Sequence, residues 1–444
     1  MGCYSISDAT SNISFIMKQE TMETPNWNDS NAVVDGPRVR MMTTEDTVPK
    51  AKRDASAKEM APFRVCSLFC GAGGTDLGFV GGFDHLGVRF NKLNFEVVWA
   101  NDIDPDALAT YQANQSNFLG NHPVHAGDIR KVDIAHVPDF DVLLAGFPCQ
   151  PFSNAGNRKG VSDDRGTLFE EVHRFIKAKT PMAFVLENVK GILSIKMPDG
   201  SFVVDEIVKR LGQVETTSRS KVRYRIASPT LVKANEVGVP QQRQRVFIVG
   251  IREDLGVTFD WQSVMKYASQ EAMAKTTLKH VLQGVKKCPQ GKEIWAFSPQ
   301  SAKMIPLIKR SWKDIPYDDL PERLKKIRDN MVRYRSPNFY RRFGVDEVNG
   351  TITASAQPEN CGIIHPKEDR RYSVREVARI QSFPDQFIFH GRTIAEKYKV
   401  IGNAVPPVLA HTIAQTLQAA LPNRFMKSAT RQLSLKPIRR RPDK

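Results

Sequence analysis

Short apolar runs separated by stretches of helical spacing set the strongest limit on what this chain can fold into. From Arg64 onward the sequence passes through VCSLF (65–69), FEVVWAND (95–102), DVLLAGF (141–147), AFVLEN (183–188) and RVFIVGI (245–251). Near-continuous apolar runs of this length read as strands buried on both faces. Between them, PDALATYQANQ (105–115) and TLFEEVHRFIKA (167–178) carry apolar residues at helical intervals, and the same spacing returns at SVREVARIQSF (373–383) and VLAHTIAQTLQAAL (408–421). Strands alternating with helices predict an α/β fold built on a doubly wound, Rossmann-like sheet.

The chain has 444 residues, more than one domain usually holds, so a large domain with a smaller one inserted or appended is expected. Hydrophobic residues make up 41% and charged residues 25%, which excludes a mostly disordered chain. Composition places the boundaries. Residues 1–60 lack periodicity and read as a poorly ordered extension. Residues 61–255 hold the strand and helix alternation, 256–369 form the insert, 370–422 return to the main domain, and 423–444 are a basic tail. From Arg424 that tail carries eight basic residues and one acid in 21 positions.

The net charge of +16 points to a polyanionic partner. The charge is clustered: residues 286–342 hold 15 Lys or Arg against 6 Asp or Glu, with Trp295, Trp312, Tyr317, Tyr334, Phe339 and Tyr340 among them. A nucleic-acid contact surface is expected there, with a solvated basic face as the alternative. Six cysteines, at 3, 66, 70, 149, 288 and 361, are too scattered for a disulfide framework. Cys66 and Cys70 have no neighbouring His, so no metal site is expected, and both read as small buried residues. No run of 18 apolar residues and no signal-peptide pattern occurs, so the expectation is a soluble protein without a membrane span.

Two groups of residues point to chemistry. In SLFCGAGGTDLGF (67–79), Gly71, Gly73 and Gly74 stand between a strand and a helix, where glycine permits a tight turn and close approach of a ligand. The next strand ends in Asn101-Asp102-Ile103-Asp104, and GDI (127–129) puts Asp128 and Ile129 at the end of a third. Taken singly, each Asp is equally a helix cap or turn residue. As a series they suit an adenosine without phosphates, and S-adenosylmethionine fits better than a dinucleotide.

The second group begins where DVLLAGF runs into Pro148-Cys149-Gln150-Pro151-Phe152-Ser153. This places Cys149 beyond the carboxyl end of a strand, where open α/β sheets bind ligands. A thiolate is a strong nucleophile even when only a few per cent of the thiol is ionised. Glu187-Asn188 ends the following strand, and a carboxyl group in a dry crevice suits proton donation to a ring nitrogen. In GVPQQRQRVFIVG (238–250), Arg243 and Arg245 alternate at a strand entry, where one guanidinium can hold a base carbonyl. A buried salt bridge is the alternative for both, and the better one for Arg243.

In order, the segments FCGAGG, GFPCQPFS, ENV, QQRQR and GNAVPP make this chain resemble the cytosine-5 DNA methyltransferases from about Arg64 to Leu421, the basic insert aside. The resemblance implies S-adenosylmethionine as cofactor and double-stranded DNA as partner. It implies that Cys149 is the nucleophile, Glu187 engages N3 of a flipped-out cytosine, and Arg245 contacts the base. Phe69 matches the adenine contact, Asp102 the ribose-binding acid with Asp104 as its alternative, and Asp128 with Ile129 the adenine-binding pair. Leu168, Asn403 and Val405 match pocket-lining positions. Gln150, Ser153 and Arg158 match a loop that closes over DNA, and residues 256–369 the target recognition domain. A tRNA cytosine-5 methyltransferase on the same scaffold and a non-catalytic DNA-binding relative are the rival readings. The basic insert favours DNA over tRNA, and Cys149, Glu187 and Arg245 together speak against a non-catalytic protein. A monomer acting in the cytoplasm, at the nucleoid or in the nucleus according to the host, is expected, in restriction-modification or epigenetic marking.

Overall fold

The apolar runs pair into one sheet because their side chains are buried on both sides, leaving the backbone ladder as the only partner for their N–H and C=O groups. The structure is a computed structural model that describes residues 61–148, 168–197, 199–215, 221–330 and 336–423. Its strands are β1 (Phe63–Leu68), β2 (Phe83–His85), β3 (Val88–Phe90), β4 (Phe95–Asp102), β5 (Val124–Ala126) and β6 (Val142–Ala145). They continue with β7 (Ala183–Val189), β8 (Gln213–Glu215), β9 (Lys221–Ile226), β10 (Thr230–Lys233) and β11 (Gln244–Arg252). The helices of the first half are α1 (Gly74–Val80), α2 (Pro105–Ala113), α3 (Leu168–Lys179) and α4 (Val203–Gly212). Later come α5 (Trp261–Tyr267), α6 (Gln270–Ala274), α7 (Leu278–Leu282), α8 (Pro299–Met304), α9 (Glu322–Asp329), α10 (Val374–Ile380), α11 (Ile394–Asn403) and α12 (Pro407–Ala420).

Strand order in the main sheet is β5-β4-β1-β6-β7-β11-β9-β8, with β10 on β11. The stretch from β5 to β7 is parallel, and the order reverses direction at β1, which puts the ligand crevice at the carboxyl ends of β1 and its neighbours. β11 runs antiparallel to β7, and β9 and β10 run antiparallel to β11. This is a mixed extension on a parallel sheet.

Side chains alternate between two cores, as the period of two requires. One face carries Val65, Val97, Leu144, Val185 and Val249 under α1, α2 and α12. The other carries Leu68, Leu143, Leu186 and Ile248 under α3 and α4. The join between α1 and α12 is unusually close. A Cβ at Gly74 would lie 2.2 Å from the Val405 carbonyl oxygen, and one at Gly78 2.4 Å from the Ala410 Cβ. These two glycines, one helical turn apart, let the loop before α12 and α12 itself sit directly on the α1 backbone.

Within 256–369 both ends join the main core: Phe259, Val264, Leu278 and Val281 on one side, Phe343, Ile352 and Ile363 on the other. The middle has a small core of its own around Met304, Ile308, Trp312, Leu324 and Tyr340. Two of the aromatics expected to face nucleic acid are therefore interior, Trp312 at 0% and Tyr340 at 5% exposure, whereas Tyr317 is exposed. Several of the basic residues are also spent inside. Arg342 donates to the carbonyls of Ile305, Ile308, His365 and Glu368, and Arg328 to those of Lys313 and Ile315. Guanidinium groups here hold backbone carbonyls of loops and short helical turns. Tyr334, the extension 1–60 and the tail from Arg424 lie outside the described residues. No described helix is long and apolar enough to cross a membrane.

Candidate active site

A crevice of about 910 Å³ opens at the carboxyl ends of β1, β4, β6 and β7, a size that holds a cofactor-sized ligand. Its first half is built on the turn after β1. Phe69, Gly71 and Gly73 take positive φ of 56°, 55° and 81°, a conformation that is strained for Phe69 and free for glycine. The turn is held by Cys70 N–H donating to the Asn101 carbonyl (2.9 Å) and Gly71 N–H donating to Asp102 Oδ2 (2.7 Å). Asp102 Oδ1 accepts from Asp104 N–H (2.9 Å). Burial raises the Asp102 carboxyl, opposed by those backbone N–H groups. Asp104 is occupied otherwise: it caps α2 through Asp106 and Ala107 N–H and meets Lys399 Nζ at 2.5 Å. Partial burial would lift its carboxyl, but Lys399 and the cap bonds hold it below the usual range. Between the two acids Ile103 stands 68% exposed.

Asp128 lines the same crevice and is gripped by Arg130, whose Nε and Nη2 donate to it at 3.0 and 2.6 Å. That fork pulls the carboxyl down to about 2. Ile129, Leu168, Asn403 and Val405 complete this half, Leu168 from the start of α3 and Asn403 from the end of α11. Cys66 is buried as expected, but Cys70 is only partly so, and it lines the crevice.

Behind the turn, Asp76 is fully buried and accepts from Ser67 Oγ and Tyr111 OH, each at 2.7 Å. Burial pushes its carboxyl up to about 6 against the pull of the two hydroxyls. The folded chain therefore holds this proton more tightly than the unfolded chain does. The associated stability is present below about pH 4 and lost as pH rises towards 6. Asp76→Asn is expected to gain on the natural protein between pH 4 and pH 7, by up to about 3 kcal/mol at 1.36 kcal/mol per pKa unit. Urea unfolding of both proteins at the two pH values measures this, and parallel pH dependences would refute the assignment.

The second half of the crevice lies between β7 and β11. Their register sets Phe247 opposite Glu187 and Arg245 opposite Val189, so Arg245 is a diagonal neighbour of Glu187 on one face. Arg245 Nε meets Glu187 Oε1 at 2.7 Å, with the side chains 14% and 15% exposed. Burial lowers the Arg245 pKa and the Glu187 charge works against that shift. Asn188 Nδ2 donates to the Phe147 carbonyl (2.9 Å), fixing the chain just before Pro148, which lines the crevice. A Cβ at Gly146 would lie 3.4 Å from Glu187 Oε2, so the turn and the carboxyl are in close reach. Cys149, Gln150, Ser153 and Arg158 lie outside the described residues.

The structure brings Phe69, Gly71, Gly74, Asp102, Ile103, Asp128, Ile129, Leu168, Glu187, Arg245, Asn403 and Val405 to one crevice. It does not bring Gly73 there, an added Cβ on which would meet Leu119 and Tyr111 instead, nor does it bring Arg243. That residue is 1% exposed and donates to the carbonyls of Ile352, Gly402 and Ala404, so its partners are backbone oxygens, neither a base nor the expected carboxylate. Sequence reasoning missed the wall formed by Thr351, Ile352, Thr353 and Ala354. Its signal was the β-branched alternation TIT within an otherwise irregular stretch.

The family model of the C-5 cytosine-specific DNA methylases matches residues 63–419. The chain is 32% identical over 367 residues to the Type II methyltransferase M.Eco47II of Escherichia coli, covering 80% of this chain and 78% of that one. It is 32% identical over 370 residues to M.NgoFVII of Neisseria gonorrhoeae, covering 82% and 88%. Among solved structures, a prophage-encoded DNA modification methyltransferase from E. coli superposes with a TM-score of 0.54 at 22% identity, covering 81% of this chain and 99% of that one. S. pombe Dnmt2 methyltransferase gives 0.51 at 18%, covering 80% and 99%. At these identities the structural likeness concerns the fold.

Proposed function

The chain belongs to the C-5 cytosine-specific DNA methylases, a family whose methyl donor is S-adenosylmethionine, and from that premise we propose that it methylates cytosine through a transient bond to Cys149. It is a DNA (cytosine-5)-methyltransferase, and its Type II relatives support a place in restriction-modification. The observation that carries the mechanism is the Glu187–Arg245 pair, open to the same crevice as Asp102 and as Pro148, the neighbour of Cys149.

The crevice residues fit the donor. Ile103 offers exposed apolar surface for the adenine beside Phe69, and Asp102, with one backbone bond to each oxygen, keeps capacity to accept from ribose hydroxyls. Asp128 and Ile129 hold the adenine edge, while Leu168, Asn403 and Val405 close the pocket. When bound, S-adenosylmethionine supplies an electrophilic methyl group.

The target cytosine must leave the helix stack before carbon 6 can be reached. The Cys149 thiolate then bonds to carbon 6 while Glu187 holds a proton at N3 and Arg245 contacts O2, which makes carbon 5 nucleophilic. After carbon 5 is methylated its proton passes to water, and the C–H electron pair restores the ring double bond as the bond from sulfur to carbon 6 breaks. The thiolate returns, and Glu187 recovers the proton from N3. Gln150 and Ser153 belong to the loop that closes over the flipped base. Residues 256–369 serve as the target recognition domain, set into a catalytic domain of 61–255 and 370–422, and the enzyme acts as a monomer. Bisulfite sequencing of DNA from a host expressing the protein should show methylated cytosine at one position of a short fixed sequence. Methyl incorporation into tRNA in place of duplex DNA, or into neither, would refute this reading.

A further inference from the structure

Arg243 and Arg245 are two residues apart, yet they serve different halves of the crevice. Arg245 lies in β11 and meets Glu187. Arg243 precedes the strand, and its Nη1 donates to the Ile352 carbonyl (2.9 Å) while Nη2 donates to those of Gly402 and Ala404 (3.0 Å each). Two glutamines complete the node. Gln381 Nε2 donates to the carbonyls of Ile401 (2.9 Å) and Ala404 (2.6 Å). Gln241 Oε1 accepts from Ile352 N–H (2.9 Å), and its Nε2 donates to the Gln381 side chain. All three side chains are buried to within 1% of full enclosure.

The segments tied together are the turn 401–405, which carries Asn403 and Val405, and the wall 351–354. They already touch: a Cβ at Gly402 would lie 2.5 Å from the Thr353 carbonyl carbon. The planar guanidinium holds these three oxygens from two nitrogens set a fixed distance apart, whereas an ammonium presents its donors from a single point at the end of a flexible stem. Leaving buried carbonyls without donors would free the turn to shift.

We propose that Arg243, with Gln241 and Gln381, is a positioning residue of the methyl-donor pocket and not part of the base-contacting machinery. The inference rests on the reading of this crevice half as the donor pocket, so the natural full-length protein is tested first. Calorimetric titration with S-adenosylhomocysteine must show binding; if it does not, the donor-pocket reading fails and takes this inference with it. Given binding, Arg243→Lys and Gln381→Leu should each weaken the Kd by about tenfold or more, the scale of lost hydrogen bonds to a charged or buried group. Their kcat at saturating donor should stay within about threefold of the natural enzyme, a loss of ground-state binding. Arg245→Lys should do the reverse, lowering kcat and leaving the Kd in place. An unchanged Kd in both Arg243→Lys and Gln381→Leu, or a fall in kcat without a change in Kd, overturns the proposal. If Arg243→Lys fails to fold, Gln381→Leu decides alone, because Arg243 still holds the Ala404 carbonyl in that variant.

Discussion

Cys149→Ser should bind duplex DNA as the natural enzyme does and lose turnover by about 10³-fold or more, the scale on which enzymes lose activity when a covalent nucleophile is removed. A thiol with a pKa of about 8.5 is a few per cent ionised at neutral pH, and a serine hydroxyl is not measurably so. The residue just before it, Pro148, lines the crevice that Glu187 also faces. Tritiated-methyl transfer and filter binding on the same duplex separate the two effects. Transfer at the natural rate by the serine variant would refute the covalent role. A 5-fluorocytosine duplex with donor should also leave an adduct at Cys149 that survives denaturation, and its absence from an active preparation would be equally damaging.

Glu187→Gln should lower the chemical step by about 10²- to 10⁴-fold, the usual contribution of a positioned acid or base, with much less effect on donor affinity. The amide matches the carboxyl in size but cannot return a proton to N3, and it leaves the Arg245 guanidinium without its countercharge. With both side chains about one-seventh exposed, the variant should also lose stability, about 1.5–3 kcal/mol for a charge-assisted hydrogen bond. Single-turnover methyl transfer, S-adenosylhomocysteine titration and thermal unfolding report the three effects separately. Equal losses in kcat and donor affinity would argue against a role at N3.

How far the sequence was legible depended on what each pattern physically encodes. The apolar runs at 65–69, 95–102, 183–188 and 245–251 became β1, β4, β7 and β11 because burial on both faces leaves an unmistakable composition. The same composition is blind to direction, and so the antiparallel course of β11 could not be read from it. Arg243 and Arg245 looked like residues of one strand face, but β11 starts at Gln244, and the alternation does not extend to a residue outside the ladder. Charge counts over 286–342 could not distinguish a guanidinium facing solvent from Arg342 or Arg328, which turn inward to carbonyl oxygens. Of the candidate site, the glycine turn, Asp102 and Glu187 were marked by their positions at strand ends. Their roles, and those of Cys149 and the late GNAVPP segment, came from the ordered set of motifs.

The contact in which Gly74 and Gly78 accept Val405 and Ala410 against the α1 backbone joins residues separated by more than three hundred positions of chain. A ribosome that has released α1 but still shelters α12 in its exit tunnel carries a sheet whose crevice lacks the side lined by Val405. Because domains acquire structure in the order in which they emerge, the crevice of a nascent chain closes only once α12 has left the tunnel.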